Sequence, residues 1–341
     1  MKNSQILITG GCGYIGSHTV VELLEANYSL IILDNFSNSN KGIIKRINQI
    51  TKKEFLTIEG DITDRNILRE IFSKFNVESV IHFAGLKSVS ESEINPIDYY
   101  KNNVYGSLIL FEEMKAANIK NIVFSSSATV YGQQINSFLN EEASLRPNNV
   151  YGRTKLIIEN ILNDIHNANA DWKVIILRYF NPIGAHPSGL IGESPSQRPN
   201  NLLPFISQVA AGKREKLLIF GDDYPTSDGT GKRDYIHVCD LARAHLVSLD
   251  YLSKNQSLFS IFNLGTGKAH SVLEVIKIFE EVSGVKIPYK ITNRRLGDVA
   301  ECLADPSKAK KILGWESELD FYRMCQDVWR WQKQNPEGIQ I

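Results

Sequence analysis

The stretch Thr9-Gly10-Gly11-Cys12-Gly13-Tyr14-Ile15-Gly16 constrains the fold more than any other part of this chain. It follows the apolar run Gln5-Ile6-Leu7-Ile8, which reads as a buried parallel strand. It opens a segment with apolar residues at Ile15, Val20, Leu23 and Leu24, which reads as a helix. Two glycine spacings overlap here, Gly11-x-Gly13-x-x-Gly16 and Gly10-x-x-Gly13-x-x-Gly16. Without side chains the backbone turns sharply, approaches a pyrophosphate and packs helix on strand, while the helix N-terminus offers free N–H groups to the anion. Strand, glycine turn and helix in sequence give the context of a dinucleotide fingerprint, and a glycine-rich loop that only turns the chain fits the spacing equally well until the second strand is read.

The second strand, Ser29-Leu30-Ile31-Ile32-Leu33, ends in Asp34. An acid ~20 residues past the last glycine suits the adenosine ribose hydroxyls. A carboxylate there repels a 2′-phosphate, and Asn35-Phe36-Ser37 supplies no Arg in its place, so NAD is expected over NADP.

Bulk properties exclude several classes. The chain has 341 residues, enough for about two domains at ~150 residues each. Thirty-eight basic residues balance 38 acidic ones, so no net field recruits nucleic acid or an anionic membrane. Cys12, Cys239, Cys302 and Cys325 are scattered, which argues against a disulfide framework and a zinc site and suits a reducing cytoplasm. No signal core precedes the glycines and no uncharged run approaches ~18 residues, so the expected setting is cytoplasmic with no membrane partner.

Strand-like and helix-like segments alternate through the first half. Phe55–Ile58, Val80–Gly85, Ile122–Phe124 and Val174–Leu177 read as further strands, separated by helices near 41–51, after Asp64, after Pro96 and near 150–167. This predicts an α/β fold with a doubly wound parallel sheet, whose ligands sit beyond the carboxyl ends of the strands. Residues 1–180 are expected to form the NAD-binding Rossmann domain. Residues 181–341 are expected to form a smaller α/β substrate-binding domain, with a segment near 236–268 returning to the main sheet. The C-terminal segment 306–333 reads as helical.

Of 13 tyrosines, only Tyr151 has a lysine four residues on, Lys155. The pair opens a predicted helix on one face, and Ser127 lies just past the preceding strand. A base is needed to take a proton from a substrate hydroxyl as its hydride leaves. Free tyrosine (pKa ~10) needs about 4 kcal/mol of anion stabilisation to serve near neutrality. One cation ~4 Å away at an effective dielectric of ~20 supplies about that, and Lys155 together with an oxidised nicotinamide ring is expected to provide it in a partly dry site. Tyr151, Lys155 and Ser127 are therefore the candidate catalytic trio. His82, His186 and His237 lack partners at useful spacing and read as packing or loop residues, with no metal expected.

These motifs resemble the extended short-chain dehydrogenase/reductase family and, within it, the UDP-glucose 4-epimerases. The similarity runs through TGGCGYIGSH at 9–18, ILDNFSNS at 32–39, IHFAGLKSVSES at 81–92, FSSSATVYG at 124–132, NVYGRTK at 149–155 and LRYFNPIGAHPSG at 177–189. It continues through PNNLLPF at 199–205, IFGDDYPTSDGTGKRDYIHV at 219–238, FNLGTG at 262–267 and RRLGDVAECLADPSK at 294–308. The resemblance implies that NAD is held by Gly10, Gly13, Tyr14, Ile15, Gly16, Asp34, Asn35, Asp61, Ile62, Phe83, Ala84, Lys87, Asn102, Tyr151, Lys155 and Phe180. It implies that a UDP-sugar is held by Ser127, Thr129, Asn181, Asn201, Leu218, Phe220, Arg233, Arg295, Asp298 and Cys302. It also implies a homodimer, through helices 96–118 and 150–167, and a redox-neutral cycle in which sugar C4 lends its hydride to NAD and regains it on the opposite face. The role expected is in galactose metabolism or the supply of sugars for surface polysaccharide.

Cys302 carries a finer expectation. Relatives with a bulky tyrosine at the matching position are confined to UDP-glucose and UDP-galactose, and a thiol leaves room for the acetamido group of UDP-GlcNAc and UDP-GalNAc. Two alternatives stand beside the epimerase. A nucleotide-sugar 4,6-dehydratase would carry acids directly after the catalytic hydroxyl, where this chain has Ala128-Thr129-Val130. A catalytically dead NAD sensor would need neither the Tyr–Lys pair nor a sugar pocket.

Overall fold

Alternation along the strands builds two hydrophobic layers. In β1 (Gln5–Thr9), Ile6 and Ile8 face one side of the sheet and Leu7 the other. In β2 (Leu30–Asp34), Leu30 and Ile32 join the first side while Ile31 and Leu33 join the second. Helices cover both faces, which is why these strands are apolar throughout. The computed structural model describes residues 4–134, 138–195, 199, 201–295 and 298–340; of the motif strings above, Asn200, Leu296 and Gly297 lie outside the described residues.

The sheet is completed by β3 (Leu56–Glu59), β4 (Val77–His82), β5 (Asn121–Ser127), β6 (Lys173–Tyr179) and β7 (Leu258–Leu264). Its order is β7-β6-β5-β4-β1-β2-β3, and every pairing is parallel. The sequence order reverses between β1 and β4, so the crevice for a ligand opens beyond their carboxyl ends. The first face is lined by α1 (Tyr14–Glu25), α2 (Gly42–Thr51) and a late helix, Val238–Lys254. The second face is lined by α3 (Arg65–Lys74), α4 (Gly106–Ala116) and α5 (Val150–Ala168). Asp64 caps α3 as expected, its carboxylate accepting from the Asn66 N–H at 2.9 Å.

Three segments differ from the sequence expectation. The strand expected over Val80–Gly85 runs Val77–His82, which leaves Phe83, Ala84 and Gly85 beyond its end. The helix after Pro96 is not uniform, because it widens into a π-helical turn over Tyr100–Tyr105 before becoming α4. Such turns re-aim side chains and recur at functional sites, and this one carries Asn102 and Asn103. The segment 306–333 is also interrupted. A π-helical turn at Ala309–Leu313 stops at Gly314 in the left-handed region (φ 68°), and a second helix, Phe321–Gln334, starts from an Asp320 cap.

The smaller layer sits over the crevice. Strand Lys232–His237 pairs with Asn181–Ile183, Ala269–Ser271 and Glu301–Ala304, while Leu217–Phe220 pairs with Tyr289–Thr292. Its core gathers Leu203, Ile206, Ile219, Val275, Phe279, Met324 and Val328. A bridging cluster of Val130, Tyr131, Leu139, Phe180 and Ala304 joins it to the main sheet.

Candidate active site

The glycine turn forms a cradle with no room for side chains. Gly10 has φ +71°, and a Cβ there would lie 2.7 Å from the Ala84 nitrogen; one on Gly16 would lie 2.4 Å from the Gly10 oxygen. The β1–α1 turn is therefore pressed against the end of β4, at Phe83-Ala84. Gly13 is the N-cap of α1 and supplies no side-chain acceptor, and no acid lies in the first turn among the described residues. The first N–H groups, of Tyr14 and Ile15, are thus left for an anion.

Asp34 is buried at the end of β2 and is held by its surroundings. One carboxylate oxygen accepts from the Cys12 N–H at 2.9 Å, and the other from the Phe36 N–H and the Ser39 hydroxyl at 2.9 Å each. Asn35 donates to Asp61 at 2.6 Å, and Asp61 also accepts the N–H and hydroxyl of Thr63 at 2.8 and 2.7 Å. Burial pushes the Asp61 carboxyl up, but those hydrogen bonds outweigh it and hold it below its usual range. Ile62 is buried behind them in the second core.

Ser127, Tyr151 and Lys155 converge at the carboxyl end of β5. Asn149 caps α5 through the Gly152 N–H at 2.7 Å, which starts the helix where it presents Tyr151 and Lys155 on one face. The Lys155 ammonium donates to the Ser125 carbonyl at 2.7 Å and lies 5.9 Å from the centre of the Tyr151 ring. The Ser127 hydroxyl accepts from the Thr129 N–H and hydroxyl at 3.2 and 3.0 Å. In the protein alone, burial pushes the phenol up to about 12, with the Ser127 hydroxyl, in hydrogen-bonding reach, working the other way. Burial also brings the Lys155 ammonium down to about 8, opposed by the charge of Glu159. Burial holds the phenol above its ordinary value, so the stabilisation expected of Lys155 and an oxidised nicotinamide together is what the base requires.

The remaining predicted residues fall into two groups. Lys87 reaches Glu193 at 3.5 Å and Asn201 donates to the same carboxylate at 2.8 Å, beside Tyr14, whose hydroxyl donates to the Gly184 carbonyl at 2.7 Å. Arg233 and Arg295 bracket Asp298 at 3.9 and 3.0 Å, and the Arg295 guanidinium lies 4.7 Å over the Phe220 ring. Leu217 and Ile219 point into the core, which turns Leu218 and Phe220 outward on the opposite face of their strand. Cys302 is paired in register with Arg233, and Asn181 begins the strand that pairs with Tyr235–His237, further along the same strand. Phe180 is buried in the bridging cluster.

Sequence reasoning missed three groups. Asn103, not its neighbour Asn102, is fully buried: it accepts from the Leu86 N–H at 2.7 Å and donates to Thr154 at 3.1 Å, tying the loop after β4 to α5. Glu193 bridges Lys87 and Asn201. Glu159 and Arg178 form a buried ion pair behind Lys155. A lone acid on the otherwise apolar face of α5 was the available signal for Glu159. His82 is fixed by Thr9 and Ser107 at 2.7 and 2.9 Å and burial keeps it neutral, near 3. Among the described residues no cluster of His, Cys, Asp or Glu could hold a metal ion.

Comparison with known proteins agrees with this geometry. Residues 7–328 match a family model described as GDP-mannose 4,6 dehydratase. The chain is 53% identical to the UDP-glucose 4-epimerase of Bacillus subtilis and 51% identical to that of Mus musculus, in each case over 98% of both proteins. The crystal structure of UDP-glucose 4-epimerase from Bifidobacterium longum in complex with NAD+ and UDP superposes with a TM-score of 0.95 at 47% identity, covering 98% of this chain and all of the other. Fold, crevice and relatives agree that the chain belongs to the UDP-glucose 4-epimerase family of extended short-chain dehydrogenase/reductases.

Proposed function

We propose that this chain interconverts UDP-glucose and UDP-galactose by inverting C4 through a 4-keto sugar, using one NAD that stays in place. The observation that carries this reading is the convergence of Ser127, Tyr151 and Lys155 at the end of β5, in a chain similar to such epimerases over 98% of its length. The residues present fit NAD: Gly10 and Gly16 leave a cradle that a Cβ would fill, the free N–H groups at the start of α1 would hold the pyrophosphate, and the Asp34 carboxylate would hold the ribose hydroxyls. Bound NAD+ supplies the hydride acceptor and a positive charge beside the phenol.

Tyr151 is the group that takes and returns the O4 proton. Bringing its phenol from about 12 to neutrality requires ~7 kcal/mol of preferential anion stabilisation. Lys155, whose ammonium lies 5.9 Å from the ring centre, supplies ~3 kcal/mol to an anionic ring at that separation and an effective dielectric of ~20. The base thus becomes competent once the site is loaded. Ser127 and Thr129 hydrogen-bond the reacting oxygen. Arg233 and Arg295 suit a diphosphate because the guanidinium fork matches phosphate oxygens. Asn181, Asn201, Leu218, Phe220 and Asp298 complete the grip on UDP. Tight holding of UDP and loose holding of sugar lets the hexose present both faces to one hydride position.

The absence of an acid in Ala128-Thr129-Val130 favours epimerisation over 4,6-dehydration, despite the description of the matching family model. Cys302, half-buried beside Arg233, supports acceptance of UDP-GlcNAc and UDP-GalNAc. A homodimer is supported by the exposed apolar residues Ile94, Ile97, Tyr105 and Leu108 along the segment before and within α4. Among the described residues no helix is long and apolar enough to cross a membrane; we place the enzyme in the cytoplasm on its unpaired cysteines.

The test is a coupled assay of UDP-galactose to UDP-glucose without added NAD. Turnover supports the reading. A 4-keto-6-deoxy product would favour the dehydratase, and NAD binding without turnover would favour the sensor.

A further inference from the structure

Behind the Tyr–Lys face lies a network that the proton chemistry above does not use. Glu159 is one helical turn beyond Lys155 on the same face of α5, and its side chain is 3% exposed. It accepts from Arg178 Nε at 3.1 Å and Nη2 at 2.7 Å, and from the hydroxyl of Ser126, the residue before Ser127. The Arg178 guanidinium, 1% exposed, also donates to the Tyr131 hydroxyl at 3.0 Å and to the Glu141 carbonyl at 3.3 Å. Tyr131 donates in turn to Asn263 at 2.6 Å, and Asn263 donates to the Leu139 carbonyl at 2.8 Å. Strands β5, β6 and β7 and helix α5 are thus joined through one satisfied set of polar groups.

A buried ion pair is a poor source of stability, because dehydrating two charges offsets most of their attraction. Packing a helix on a sheet needs only aliphatic side chains, as the rest of α5 shows with Ile158 and Leu162. What the pair adds is register, at the one level of the helix where register matters for the chemistry. We propose that the Glu159–Arg178 pair is a positioning device for catalysis. It fixes the helix carrying Tyr151 and Lys155 against the strand carrying Ser127, and it presents a negative charge to the Lys155 ammonium.

The groups facing Lys155 are few. Tyr151 and Glu159 lie on its own helix, His82 on β4, the Ser125 carbonyl on β5 and the Tyr179 phenol on β6, beyond Ser125. Burial keeps His82 and Tyr179 uncharged. Glu159 is the anionic side chain in this set, so its removal lets Lys155 lose its proton at lower pH.

This inference rests on the epimerase reading and is tested with the intact enzyme. Two variants separate position from stability: Ser126→Ala, which removes one hydrogen bond, and the paired Glu159→Leu/Arg178→Met, which leaves no buried charge. The expected result for each is kcat lower by about tenfold or more, since small misplacements of reacting groups have such effects, with the KM for UDP-galactose changed by less than about twofold. The paired variant should also move the alkaline limb of its kcat profile to lower pH. Thermal melts report the folded fraction, and if the paired variant does not fold, Ser126→Ala decides alone. Wild-type kcat with a superimposable pH profile, or a rate loss equal to the loss of folded protein, overturns the proposal. Absence of turnover in the unmodified protein would instead overturn the epimerase reading.

Discussion

Gly10 and Ala84 approach so closely that a Cβ on Gly10 would sit 2.7 Å from the Ala84 nitrogen. This contact fuses the phosphate turn to the end of β4, and it sets the first prediction. Gly10→Ala adds that clash to a positive φ that costs an L-residue ~1–2 kcal/mol. The turn should open, and the variant should be isolated with little NAD. Nucleotide released by denaturation, measured per chain, checks this; full NAD content would contradict it.

Buried neutral histidines predict acid sensitivity. Burial holds His18 and His82 near 3 and His245 near 4, against an ordinary value of 6.5. The unfolded chain takes up these protons as pH falls below 6.5 while the native protein does not, so stability is lost in that window and is complete above it. Each group should cost ~2 kcal/mol between pH 7 and pH 5. Urea unfolding at the two pH values measures the sum, and an unchanged midpoint would refute it.

The thiol of Cys302 makes a prediction about substrate size. Cys302→Tyr should abolish turnover of UDP-GlcNAc while sparing UDP-galactose. Equal loss of both activities would show that the residue serves packing and not selection.

The exposed segment around Ile97 predicts association. Ile97 is 78% exposed, and Ile97→Glu should place a charge in the proposed apolar interface and yield monomers by light scattering. A wild-type dimer that persists unchanged in the variant would place the interface elsewhere.

How much was legible in the sequence follows from the range of each interaction. The glycine turn, Asp34 and the Tyr151–Lys155 pair are local patterns, in which spacing alone determines which groups share a face. The strands β1 and β2 were equally plain, because their runs are apolar on both faces. The π-helical turn at Tyr100–Tyr105 was not, since no glycine within it marks where the helix widens. Asn103, Glu193 and Arg178 acquire meaning only from partners far away in the chain, whereas Glu159 had one local signal, an acid on an otherwise apolar helix face. Arg233, Arg295, Asp298 and Phe220 were named by resemblance, and their grouping depends on three separate segments of the smaller layer.

Replacing Tyr151 by phenylalanine tests the proton chemistry most directly. The variant retains the ring, the lysine and the crevice, and loses the oxygen that carries the proton. We expect kcat for UDP-galactose to fall at least ~100-fold, the lower range for a lost general acid–base group, with UDP and NAD still bound. An unchanged kcat would contradict the assignment of Tyr151 as the base.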